Sequence, residues 1–75
     1  MSERRLWKMK ICGVLTEMYD GTMFTRDQIT NGFGADTFEE CLKRNYIAKA
    51  GFTALKVQMY QITAIGKAAF DNKTY

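Results

Sequence analysis

The sequence has no histidine, no proline, only two cysteines and a single serine, and each scarcity excludes something. Without imidazole there is nothing to activate the only serine, Ser2, so nucleophilic catalysis is poorly supplied and an enzyme is not expected. Two isolated cysteines, Cys12 and Cys41, do not make a zinc site, and both fall among apolar residues of predicted helices, where reduced core thiols are the expectation. No metal and no cofactor is implied. With no proline, no internal repeat and no low-complexity stretch, nothing marks a linker, and residues 1–75 read as one domain near the lower size limit for a single core. No apolar run approaches the roughly 20 residues of a membrane span, and "MSERR" lacks the apolar stretch of a signal peptide. The expectation is a cytoplasmic protein without a membrane partner, in which the sequon at Asn72 has no consequence.

What is present is globular: 47% of the residues are apolar and 25% charged. The net charge of +3 conceals a segregation. Arg4, Arg5, Lys8 and Lys10 against Glu3 make the first ten residues +3, and residues 11–40 hold six carboxylates against Arg26, or −5. Residues 41–75 hold Lys43, Arg44, Lys49, Lys56, Lys67 and Lys73 against Asp71, or +5. Such a chain favours an electrostatic partner if folding gathers the basic ends onto one face.

Periodicity supplies the elements. Trp7, Ile11, Val14, Leu15 and Met18 share one arc of a helix running from about Glu3 to Tyr19, which Asp20 and Gly21 end. Its opposite arc, Met9, Cys12, Gly13 and Thr16, is small and weakly polar, unusual for a solvated face. Met23 and Phe24 make a short apolar pair. Thr25 and Gln28 form a capping-box pattern for a second helix over about Arg26–Asn31, which the "NGFG" at residues 31–34 should break. Asp36 and Glu39 repeat the capping signature for a third helix over about Thr37–Arg44, with Phe38, Cys41 and Leu42 inward and Asn45 as its stop. Two strands, "YIAKA" and "LKVQMYQI", flank a loop containing Gly51, and Thr63 caps a last helix carrying Ile65, Ala68, Ala69 and Phe70.

This order, with "LKRNYIAKAG" and "YQITAIGKAAF" at these separations, resembles the winged helix-turn-helix superfamily over nearly the whole chain. Tyr60, Ile62, Thr63 and Gly66 match the aromatic-x-aliphatic-Thr-x-x-Gly run with which the second wing strand of that family closes before a C-terminal helix. The resemblance implies an α+β fold: a three-helix core, a two- to three-stranded β-wing and a packing C-terminal helix. It further implies a recognition role for the third helix in a DNA major groove, with the loop near Gly51–Lys56 on the backbone.

On that reading a small transcriptional regulator contacts double-stranded DNA through Arg26, Thr37, Glu40, Lys43, Arg44, Lys49, Thr53 and Lys56, helped by the absence of any acidic residue between Cys41 and Phe70. Three carboxylates on the third helix oppose it, although Asp36 and Glu39 serve as caps and Glu40 can accept a hydrogen bond from cytosine. The alternative is a protein-interaction module on the same fold, an inhibitor or adaptor that binds no nucleic acid. In its favour, strict alternation with Tyr60 and Ile62 inward leaves Leu55, Val57 and Met59 outward, with Phe52 at the loop tip. A homodimer is also expected, through Met9, Cys12, Gly13 and Thr16 with Leu6 and Tyr19 at the edges, unless the C-terminal helix covers the same strip within one chain.

Overall fold

The computed structural model describes the chain from Glu3 and its side chains from Lys10 onward. It is an α+β fold in the order α1 (Glu3–Met18), β1 (Phe24–Thr25), α2 (Arg26–Phe33), α3 (Ala35–Lys43), β2 (Ile47–Phe52), β3 (Gln58–Ile62) and α4 (Ala64–Asn72). The three strands form one antiparallel sheet with β3 in the middle, β1 on one edge and β2 on the other.

The core stripe of α1 is the arc its periodicity predicts. Ile11, Val14, Leu15 and Met18 are all buried, and they meet Ile29 of α2, Phe38 and Cys41 of α3, and Tyr60 and Ile62 of β3. Burial in this apolar cluster pushes the Cys41 thiol up to about 12, so it sits there as a small hydrophobe. Both cysteines are free.

Helix α2 begins with the capping box expected of Thr25 and Gln28. The Gln28 amide donates to Thr25 Oγ1 at 3.2 Å, and the Thr25 amide donates to Gln28 Oε1 at 2.8 Å. Its end differs from expectation, because Gly32 stays helical and the helix runs on to Phe33. Phe33 packs on α1 over Gly13, where a Cβ would lie 2.6 Å from its ring, and that contact outweighs the intrinsic cost of a helical glycine. The break falls at Gly34, whose φ of 96° is open to glycine and strained for other residues.

Gly34 is also the N-cap of α3, without a side-chain bond, so Asp36 is a first-turn residue and not the cap its spacing suggested. Its carboxylate there faces the positive end of the helix dipole. The helix closes in a Schellman arrangement: Asn45, with φ of 62°, donates to Leu42 O, and Tyr46 donates to Cys41 O.

In the β2–β3 hairpin the register runs Ile47 opposite Ile62, Ala48 opposite Gln61 and Lys49 opposite Tyr60, then skips Ala50 and resumes with Gly51 opposite Met59 and Phe52 opposite Gln58. The bulge at Ala50 draws Gly51 into the strand, so the connecting loop is residues 53–57 and not the segment centred on Gly51. After β3, Thr63 caps α4 as predicted. The buried face of α4 is Gly66 and Ala69, with Phe70 half-buried against Tyr19 at a ring separation of 5.1 Å. Ile65 and Ala68, expected on that face, point to solvent, because the helix docks through its smallest residues and rotates the larger ones away.

Candidate functional site

Four cations stand on the α2, α3 and hairpin surfaces: Arg26, Lys43, Lys49 and Lys56 are all exposed. Arg26 is the first residue of α2, and its guanidinium carbon lies 5.7 Å above the centre of the Phe38 ring, a separation at which the ring's negative face attracts the cation. Phe38, buried on α3, meets Tyr60 of β3 edge-to-face, with ring centres 5.0 Å apart and planes at 85°. Tyr60 is the cross-strand partner of Lys49, and directly opposed residues of an antiparallel pair share one sheet face. Arg26, over the Phe38 ring, and Lys49, in register with Tyr60, are therefore each tied to one member of a buried aromatic pair, by different elements.

The same register puts Phe52, opposite Gln58, on the face of Lys49 and Tyr60, since Gln58 and Tyr60 are two apart on β3. Beyond it the loop is closed on itself. Thr53 Oγ1 accepts the amides of Leu55 and Val57 at 3.2 and 3.1 Å, the Thr53 amide donates to Val57 O at 2.9 Å, and the Lys56 amide donates to Thr53 O at 2.9 Å. Gln58 Nε2 donates to Gly51 O at 2.8 Å and so ties down the carbonyl beside the bulge. These bonds hold outward a tip where Phe52 is 68%, Leu55 87% and Val57 46% exposed.

The outward face of α3 is changed by one ion pair. Arg44 Nε donates to Glu40 Oε2, one turn earlier, and this bond, with a smaller contribution from Tyr46, raises the pKa of the guanidinium further. Glu40 is thereby engaged within the helix and not held out to read a base. Asp36 and Glu39 remain exposed beside Lys43. Thr37, proposed from sequence as a DNA contact, is buried at 1% exposure and belongs to the core. Thr53 is half-buried with its oxygen committed to the loop amides.

Of the strip on α1, the side chains of Leu6 and Met9 lie outside the described residues, as does that of Trp7. Gly13 is covered by Phe33, and Cys12 is half-buried beside Tyr75, whose phenol has its pKa raised chiefly by a hydrogen bond with the Cys12 thiol. Thr16 is exposed and donates to the Cys12 carbonyl of its own helix. The chain itself thus partly covers this strip, but through Phe33 and Tyr75, not through the Ile65 side of α4.

Among the described residues no group of three or more histidine, cysteine or carboxylate side chains is placed to hold a metal ion, and no helix is long and apolar enough to cross a membrane. The chain matches no family model, no curated protein and no solved structure.

Sequence reasoning had Arg26, Lys43, Lys49 and Lys56 as candidates but not the Arg26–Phe38–Tyr60–Lys49 sequence of contacts. The signal for it was weak: an arginine at a helix start and an aromatic on the next helix have no fixed spacing.

Proposed function

We propose that this chain is a winged helix-turn-helix domain that binds duplex DNA, with α2 and α3 as the helix pair and the β2–β3 hairpin as the wing. The observation that carries the reading is that exposed Arg26 and Lys49 are each tied to one member of the buried Phe38–Tyr60 pair, with Lys43 and Lys56 exposed on neighbouring elements. Rigid anchoring of this kind suits phosphate contacts, which position a protein on DNA without reading its sequence. The Glu40–Arg44 pair supports the same reading, because it neutralises a carboxylate that would otherwise repel the phosphates. Asp36 and Glu39 keep the start of α3 acidic, so affinity comes from Arg26, Lys43, Lys49 and Lys56 and depends little on base sequence.

The test is a mobility shift on random duplex at two salt concentrations. Four phosphate contacts correspond to a slope of log K against log salt of about −3.6. Replacing Lys49 and Lys56 together by glutamate should abolish binding at every sequence, and an unchanged affinity would remove the hairpin from the interface. The protein-interaction reading is favoured by one observation, the exposed Phe52, Leu55 and Val57. Absence of duplex binding at low salt would leave it as the better account.

A further inference from the structure

We propose that Phe52 and Leu55 form an apolar wedge that enters the minor groove and unstacks a base step, so that the protein bends the DNA it binds. The inference rests on the duplex-binding reading and adds to it an activity that phosphate contacts alone do not give.

Three observations lead there. Leu55, 87% exposed, sits on a loop closed by four hydrogen bonds, and Phe52, 68% exposed, is the last paired residue of β2, so these side chains are held out by the backbone and are not left out by disorder. The hairpin is cationic only: Lys49 and Lys56 are the charged residues between Tyr46 and Ile62, and no carboxylate lies in that stretch. Charge complementarity then calls for an occupant that is polyanionic outside and apolar within. Both a bilayer and a stacked duplex answer that description; the duplex follows from the function proposed above, and the bilayer is an outcome of the test. Phe52 shares its sheet face with Lys49, so a cation stands on the side from which Phe52 projects.

Phenylalanine and leucine are the side chains with which architectural proteins pry apart base steps, and the unstacking is cheapest at pyrimidine–purine steps. A duplex with one central TA step is therefore the preferred ligand. Lys56 is held at the tip in the left-handed conformation, with φ of 64°, where it can follow the groove phosphates as the wedge enters.

The experiment uses the full chain and an end-labelled duplex of about 24 base pairs carrying a central TA step with 2-aminopurine beside it. Wild-type protein should shorten the donor–acceptor distance and raise the 2-aminopurine fluorescence. The F52S/L55S variant, altered only at exposed side chains, should bind about tenfold more weakly and do neither. Wild-type binding with an unbent duplex overturns the wedge and leaves the DNA reading standing, while failure of the wild type to bind any duplex overturns both. Co-sedimentation with anionic phosphatidylserine vesicles, lost in F52S/L55S while the duplex stays unbent, would assign the tip to lipid and overturn the wedge as well.

Discussion

The two ends of β3 are each organised by a threonine, and they differ in how far that threonine reaches. At the hairpin tip Thr53 accepts the amides of Leu55 and Val57, both within four residues. At the other end Thr63 accepts the amide of Gly66 at 3.0 Å, but its hydroxyl donates to the Asn45 carbonyl, with that of Tyr46 at 3.1 Å, and its own amide donates to Tyr46 O at 2.9 Å. One threonine closes a loop on itself, and the other joins the α3–β2 turn to the start of α4. The same local device yields a projecting surface in one place and a tertiary clamp in the other. The difference lies in whether a distant backbone comes close enough to be gripped.

Gly66 is the sharpest point of that contrast. A Cβ there would stand 2.2 Å from the Tyr46 carbonyl oxygen and 2.9 Å from the Ile62 side chain. The oxygen cannot withdraw, because it already accepts from Thr63 and sits in the turn that ends α3. The expected cost of Gly66→Ala is about 3 kcal/mol or more, at the upper end for overpacking, and a large share of what so small a domain possesses. Urea denaturation followed by circular dichroism measures it. A midpoint equal to wild type would show that α4 is not clamped on Tyr46.

Thr63→Val should come next, at about 1–3 kcal/mol, since the isosteric side chain leaves the Gly66 amide without its cap and the Asn45 carbonyl without its donor. Thr63→Ser keeps the hydroxyl and should recover most of the loss in the same urea titration. If serine and valine cost the same, packing of the threonine methyl and not hydrogen bonding holds the junction.

What could be read from sequence follows the same division between local and distant. The Thr25–Gln28 box, the core stripe of α1, the inward Tyr60 and Ile62 and the Thr63 cap all depend on neighbours a few residues away, and all were legible. Gly66 was visible as part of a pattern, but the reason for it, a carbonyl from another turn, was not. The extension of α2 through Gly32 depends on Phe33 meeting α1, and the exposure of Ile65 depends on which stripe of α4 docks. At the candidate site the individual lysines were legible as charges. The Glu40–Arg44 pair is an i, i+4 contact whose spacing stood in the sequence and was passed over, whereas the burial of Thr37 turned on helix rotation by a fraction of a turn, which periodicity over nine residues does not fix.

The smallest effect is expected at the opposite end of the comparison. Leu55 is 87% exposed, and its amide, not its side chain, supplies the bond to Thr53. Leu55→Ser should therefore leave the urea midpoint within about 0.5 kcal/mol of wild type, as for surface changes that touch no cap, core or network. The loop should also keep its form, because the serine amide can donate to Thr53 Oγ1 as before. Hydrogen exchange at the Val57 amide, the second donor to that oxygen, reports this directly and should be unchanged. A loss of 1 kcal/mol or more would mean that Leu55 is covered in solution. Dependence of that loss on protein concentration would identify the cover as a second copy, and the tip would then be a contact between chains instead of a surface held open for a ligand.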